Sequence, residues 1–377
     1  MIRDYGDINN PLWVVTKEPY AKDAENGYIY SGGYGYSFKK TWKLSGAPDP
    51  FITCVNPELS VDTDWNVHFP LFLQRLNNAK PKIIVSLGDD LITRLVPATA
   101  PRQKKTSGKQ ASALWKWAGS LLQSPLLNFE HYIIGTYTPD FVTNNWDLHE
   151  IQGYIDFGRA KSELDYYNLH NSLQPMPVRS IITEPTYETV CDYLRWLLDA
   201  HANHNLPCEN FVSSDIETIR PKKASPYYDL GHSGYTYTIS LAPSPKEAIS
   251  FCLWDYPPSQ AIIIWRLLAR VLNEIPQIGQ NYFTFDSHHL EALGYKICLV
   301  CCSDTMLRHH ILWPGLPHKL QFQTRQYTRE PYYKDEGKNW TVKHKHQLMR
   351  YNCLDTMVTY EIWIAQEEEF NDRPHLR

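Results

Sequence analysis

Residues Asn210–Arg220 read NFVSSDIETIR, and this stretch decides how the second half of the chain folds. Phe211, Val212 and Ser213 lead into Asp215, Ile216 and Glu217, which predicts a short buried strand. Alternate side chains of a strand share a face. Asp215 and Glu217 therefore stand side by side, while Ile216 points into a core. Two carboxylates on a mostly apolar strand repel each other and lose hydration. A divalent cation between them relieves both penalties, because Mg²⁺ and similar hard ions take carboxylate oxygens. The plainer alternative is a pair of acids at a strand end, facing water.

Downstream, three further strands and three helices are expected around this one. Tyr235–Leu241 and Ala248–Trp254 read as strands that complete an antiparallel meander, and Ile278–Gly279 as a short strand. Ser259–Ile275 is a strongly apolar helix. A second acidic site follows at Asn281-Tyr282-Phe283-Thr284-Phe285-Asp286, which leads into a helix over Ser287–Leu293. A third lies at Tyr351-Asn352-Cys353-Leu354-Asp355, inside a helical pattern from Lys345 to Glu369. Tyr351 and Asp355 are four apart, so they lie about 40° from one another on one helix face. After the central strand, Arg220-Pro221-Lys222-Lys223 forms a loop basic enough to meet a backbone phosphate. Asp286 has a second reading as a helix-start acid, and Tyr351 as a core residue. Asp304 reads as the cap of the helix that follows it. The pairs His288–His289 and His309–His310 are expected to have one member each in water.

Asp-x-Glu on a strand, Asn-x-x-x-Phe-Asp at a helix start and Tyr-x-x-x-Asp on a late helix resemble the DEDD exonuclease superfamily in its tyrosine branch. The nearer likeness is to the proofreading 3′–5′ exonuclease domain of phage-type family A DNA polymerases, and it covers nearly all of residues 178–377. Asp304-Thr305-Met306-Leu307, the run His310–His318 and Pro331-Tyr332-Tyr333-Lys334-Asp335 fit that pattern. The resemblance implies an RNase H-like domain with a mixed sheet and two Mg²⁺ or Mn²⁺ ions held by Asp215, Glu217, Asp286 and Asp355. It implies that Tyr351 orients the attacking water, and that Asn281 and Phe285, with Arg220, Lys222 and Lys223, meet nucleic acid. The implied substrate is a single-stranded DNA 3′ end. RNA trimming by the same site and a DNA-binding accessory role beside a separate polymerase subunit stay open.

The first half has another organisation. Strands at Leu12–Thr16, Phe51–Asn56, Lys82–Leu87 and His131–Thr136 alternate with helical patterns at Trp65–Asn78, Asp90–Leu95 and Trp115–Leu122. This predicts an α/β sandwich with a mostly parallel sheet. Lys17-Glu18-Pro19, the glycine-rich loop Gly32–Gly35, the segment Pro81–Gly88 and Thr136-Tyr137-Thr138-Pro139 resemble the uracil-DNA glycosylase superfamily over residues 1–165. The match departs where chemistry would sit. Of the water-positioning loop only Glu18-Pro19 remains, and Thr138 stands where active members carry a histidine that stabilises the departing base. Cys54 is the only cysteine before Cys191, so no cluster ligands are present. The resemblance implies a glycosylase-like domain without glycosylase activity. Residues 166–177, polar and ending in a proline pair, read as a linker to a C-terminal domain over 178–377.

Composition limits the alternatives. The 377-residue chain carries a formal net charge of −4, which excludes a generally basic nucleic-acid binder and leaves local patches or metal ions for that task. Arg102, Lys104, Lys105 and Lys109 form one such patch, read either as a phosphate-contacting loop or as a solvated one. The eight cysteines show no disulfide framework. Cys298-x-x-Cys301 lies in an apolar run that reads as a buried strand. No signal peptide is apparent, and no apolar run approaches the roughly 18–20 residues of a membrane span. The expected setting is a reducing bacterial or phage-infected cytoplasm. Family A polymerases continue beyond such a domain. The expectation is therefore a stand-alone exonuclease, one part of a split polymerase, or a piece of a longer chain.

Overall fold

Apolar runs closed by turn residues become the strands of two separate α/β units. The computed structural model describes residues 2–58, 64–100, 112–144, 146–219, 235–297, 302–338 and 345–376. The chain divides into Met1–Met176 and Pro177–Arg377.

The first unit runs β1 (Leu12–Thr16), α1 (Ala21–Asn26), α2 (Gly33–Leu44), β2 (Phe51–Cys54), α3 (Trp65–Ala79), β3 (Ile83–Leu87), α4 (Asp89–Leu95), α5 (Leu114–Trp117), β4 (Leu121–Leu122), β5 (Tyr132–Thr136), α6 (Pro139–Asn144) and α7 (Trp146–His170). The sheet order is β2-β1-β3-β5-β4, parallel except for β4. Along β1, Leu12 and Val14 enter one core with Phe38, Trp42 and Phe157, while Trp13 and Val15 enter another with Phe72, Leu76 and Leu91. Helices cover both faces, so the strands are buried throughout and mostly apolar rather than alternating.

Three expectations for this unit change. The glycine-rich stretch Gly32–Gly35 is not a loop, because Gly32 precedes α2 and Gly35 lies inside it. A Cβ at Gly35 would fall on the Tyr30 backbone, so this glycine permits a close approach rather than a flexible turn. The helix expected over Trp115–Leu122 stops at Trp117, and Leu121–Leu122 pairs with β5 instead. Gly119, at φ +71, turns the chain between them. Residues 166–170, expected as linker, are the last turns of α7, and Leu173 and Met176 pack into the first unit's core.

The second unit runs β6 (Ser180–Thr183), α8 (Tyr187–Ala202), β7 (Val212–Ile219), β8 (Tyr235–Ser244), β9 (Glu247–Phe251), α9 (Pro258–Glu274), β10 (Gln277–Gly279), α10 (Asp286–Ala292), β11 (Ser303–Asp304), α11 (Thr305–Leu312), α12 (Leu320–Tyr327) and α13 (Lys345–Asp372). The sheet order is β11-β10-β7-β8-β9-β6. The pairs β7–β8 and β8–β9 are antiparallel and the rest parallel. One face carries Ile216, Ile239, Leu241, Ile249 and Phe251, which pack on Val190, Leu194 and Leu197 of α8 and Ile264, Leu268 and Val271 of α9. Burying each such side chain contributes about 1.5–3 kcal/mol. The other face is covered by α13 through Cys353, Met357 and Val358 against Ala242 and Ala248. Among the described residues no helix is long and apolar enough to cross a membrane.

Candidate metal centre

The face of β7 opposite its apolar core carries Asp215 and Glu217, both partly buried, while Ile216 between them is 4% exposed. Their cross-strand partners on β8 are Ser240 and Thr238. These small polar residues let α13 lie close: the Ser240 hydroxyl is 2.8 Å from the Thr356 hydroxyl. Helix α13 thus brings Asp355 to the strand pair. Ligand oxygens of Asp215, Glu217 and Asp355 all fall within 4.8 Å of one another. The register of the β7–β8 pairing shifts between Glu217 and Thr218, just past this pair, a usual device for aiming a side chain.

Neighbours fix these carboxylates. Asn352 Nδ2 donates to Asp215 Oδ2 at 2.6 Å. Its Oδ1 accepts from Thr238 Oγ1 at 3.1 Å and Ser250 Oγ at 3.0 Å, which sets the orientation of the amide. Tyr333 OH donates to Asp355 Oδ1 at 2.7 Å. The Lys334 ammonium lies 2.7 and 2.6 Å from the two Asp355 oxygens and 3.0 Å from Tyr351 OH. Gly337 lets the chain pass over the Tyr351 ring, where a Cβ would come within 2.8 Å.

Asp286 stands behind this group rather than in it. Strand β10 pairs with β7 only at Val212 and Ser213, so the β7 edge beyond lacks a strand neighbour. Asp286 Oδ1 accepts the Ile216 N–H there at 3.0 Å, and the residue is 2% exposed. The charges of Asp215 and Glu217 nonetheless act on Asp286.

Burial, then Asp355, pushes the Asp215 carboxyl up to about 8, against the lowering influence of Lys334 and Asn352. Burial, then Asp215 and Asp355, pushes Glu217 up to about 9. Asp286 is raised well above the carboxylate range, chiefly by burial. The Tyr351 phenol is also raised, by burial and then by Asp355, so it stays protonated as a donor. Were all of these acids ionised, one lysine would not balance them. A converging, oxygen-only and partly desolvated donor set of this kind fits hard divalent cations, and added positive charge would ionise it.

Other expected residues fall as follows. Asp304 caps α11 by accepting from Met306 N at 2.8 Å, and it also takes the Asn281 N–H at 3.0 Å. Asn281 is partly buried at φ +59, and its side-chain oxygen accepts from the Thr284 hydroxyl. Phe285 is half-buried against the apolar core, with its ring on His289. Arg220, Lys222 and Lys223 lie outside the described residues, as do Arg102, Lys104, Lys105, Lys109, Cys298 and Cys301. In the first unit, Tyr20 OH donates to Asp140 Oδ1 at 2.6 Å, which joins the segment after Glu18-Pro19 to the one after Thr138. Lys334, Tyr333 and Asn352 escaped the sequence reading. Asn352, adjacent to Tyr351, carried a signal as a polar residue on a buried helix face. Tyr333 and Lys334 lay in the segment Pro331–Asp335 that fits the family likeness, but nothing local gave them a role beside Asp355, because irregular chain places them.

Three histidines form a hydrogen-bonded chain. Among the described residues, the carboxylate trio is the only grouping of three metal-ligating side chains. His309 is fully buried, and its Nε2 faces Gln326 Oε1 at 3.0 Å. The proton therefore sits on Nε2, and Nδ1 accepts from His318 Nδ1–H at 2.8 Å; His318 Nε2 then accepts from His310 Nδ1–H at 3.0 Å. Burial lowers the His309 pKa to about 4. Below pH 6.5 the unfolded chain binds a proton that folded His309 refuses, so stability is lost as pH falls from 6.5 towards 4. Relative to His309→Gln, wild type is expected to lose about 2 kcal/mol more across that window, in urea midpoints followed from pH 7 to 4.5. Equal slopes in the two proteins would refute it.

No protein-family model matches the chain, and no curated protein matches it.

Proposed function

We propose that the C-terminal unit is a two-metal-dependent 3′–5′ exonuclease of the DEDD type, its tyrosine branch, acting on DNA with single strands preferred. The observation that carries this reading is the convergence of Asp215, Glu217 and Asp355 from a strand and a helix distant in sequence, with Tyr351 on the same helix. On this reading the fold around them is RNase H-like. Bound Mg²⁺ or Mn²⁺ would supply an activated water, in-line geometry and charge relief at the leaving oxygen. Asp215, held by Asn352, would be a ligand of the ions on this reading. Glu217 and Asp355 would hold the same ions with it. Asp286, with one oxygen on the Ile216 N–H, would help hold an ion directly or through water. The Tyr351 hydroxyl orients the nucleophile.

The first unit, on the same reading, is a glycosylase-like module that lacks base-excision activity. The support is chemical: Thr138 supplies no imidazole, and the Glu18 carboxylate is 3.5 Å from the Lys17 ammonium.

The test is digestion of 5′-labelled single-stranded DNA, beside matched RNA and uracil-containing duplex, with Mg²⁺, Mn²⁺ or chelator. A metal-dependent ladder shortening from the 3′ end is expected on DNA, with no abasic sites. Intact DNA in all metals would refute the reading, and faster RNA digestion would transfer it to RNA. Tyr351→Phe is expected to lower the single-turnover rate about 10- to 1,000-fold, because it removes one orienting hydrogen bond and no ligand. A loss equal to that of Asp215→Ala would contradict this role.

A further inference from the structure

Resting on the nuclease reading, we propose that Lys334 is a tethered counter-ion of the carboxylate group, holding Asp355 when divalent ions are absent and competing with them for it. Four observations carry this. The ammonium contacts both Asp355 oxygens, at 2.7 and 2.6 Å, so it takes that carboxylate end-on rather than at one corner. Tyr333 OH takes Oδ1 as well, which leaves little of the carboxylate unengaged. The pair is sheltered, with side-chain exposures of 17% for Lys334 and 6% for Asp355, so the attraction is weakly screened. Lys334 also lies 4.9 Å over the Tyr351 ring and 5.3 Å over the Tyr333 ring, in a cradle of aromatic faces that suits a cation.

A dication on Asp355 would meet the lysine charge at the same oxygens. The four-carbon stem lets the ammonium turn away while the backbone stays, because the adjoining Tyr333 is buried at 5% exposure and anchors the segment. Lys334 thereby sets how much free metal the site needs. It acts on the metal equilibrium through Asp355, as a positioning residue.

The test is Mn²⁺ titration of chelator-stripped protein by calorimetry, with wild type, Lys334→Met, Lys334→Arg and Asp215→Asn. Lys334→Met is expected to bind Mn²⁺ about 10- to 100-fold tighter than wild type, the scale of one charge-assisted hydrogen bond. Lys334→Arg, which keeps the charge, should remain close to wild type. Lys334→Gln gives the same reading should the methionine variant not fold. A lysine that merely braces the site would leave affinity unchanged or weaken it on removal. Wild-type binding that Asp215→Asn abolishes, with Lys334→Met equal or weaker, would overturn this proposal alone. No binding by wild type or Lys334→Met would overturn it together with the nuclease reading.

Discussion

Asp215→Ala and Glu217→Ala are each expected to reduce 3′ digestion below detection, while the neutral isostere Asp215→Asn makes the metal-stripped protein more stable at high pH. Both effects come from one source. The two acids are brought together by strand pairing and by α13, and each is raised far above its ordinary value by burial and by the other acids, Asp215 to about 8 and Glu217 to about 9. Folding without a divalent ion therefore favours their protonated forms. Between pH 4 and 8 the folded chain holds protons that the unfolded chain has released, so these groups make stability fall as pH rises through that window. Below pH 4 both states are protonated and the effect vanishes. Asp215→Asn removes the Asp215 share of that slope, worth about 1–3 kcal/mol at pH 9 after allowing for partial solvent access. Saturating Mn²⁺ should invert the order, stabilising wild type and leaving the variant unmoved. Melting curves at pH 5, 7 and 9, with and without Mn²⁺, read all of this. An Asp215→Asn protein less stable than wild type at pH 9 without metal would mean that the carboxylate braces the fold and that its charge is already compensated.

How far the sequence foretells this centre differs residue by residue, for physical reasons. Asp215 and Glu217 were legible because a strand has period two and their neighbours are apolar. Asp355 and Tyr351 were legible from helical spacing. That they meet Asp215 is a matter of tertiary packing, and only the family likeness anticipated it. Asp286 was found as an acid at a helix start, yet its occupation by the Ile216 N–H depends on where β10 ends, which no local pattern records. Lys334 lay in a segment that fits the family likeness, yet its contact with Asp355 was hidden for the same reason: it reaches that residue from irregular chain 21 residues away. In the first unit the strands were plain, being continuous apolar runs. Glycine misled at Gly32–Gly35, where the missing Cβ serves packing rather than a turn. In 115–122, local apolar periodicity lost to Gly119 and to the open edge of β5.

Arg179→Met is expected to destabilise the second unit by about 3 kcal/mol, the largest single-site effect on its stability away from the carboxylates. Arg179 precedes β6, the last strand at one edge of the sheet, and its side chain is 5% exposed. Its Nε donates to Glu330 at 2.8 Å, its Nη2 to Glu361 on α13 at 2.6 Å, and its Nη1 to the Pro245 carbonyl at 2.5 Å. One planar fork thus ties the β6 edge to the β8–β9 turn, to the chain after α12 and to α13. Burial disfavours its charge, but the two glutamates outweigh that and leave the guanidinium's pKa raised. Removing it strands Glu330 and Glu361 facing each other. Breaking a buried pair in this way costs about 3–5 kcal/mol, and the lower end applies because the glutamates are 18% and 24% exposed and can reach water. Arg179→Lys should fall between, since an ammonium keeps the charge but cannot serve three acceptors in one plane. Adding Glu330→Leu and Glu361→Leu to Arg179→Met should recover much of the loss, because an apolar replacement of the whole cluster leaves no charge unpaired. Hydrogen exchange in β6 and α13 localises the effect within a two-unit chain whose global unfolding need not be two-state. A loss under about 1 kcal/mol in Arg179→Met would place this cluster with ordinary surface pairs, and an unrecovered triple variant would show that its geometry, more than its charge balance, holds α13 against the sheet.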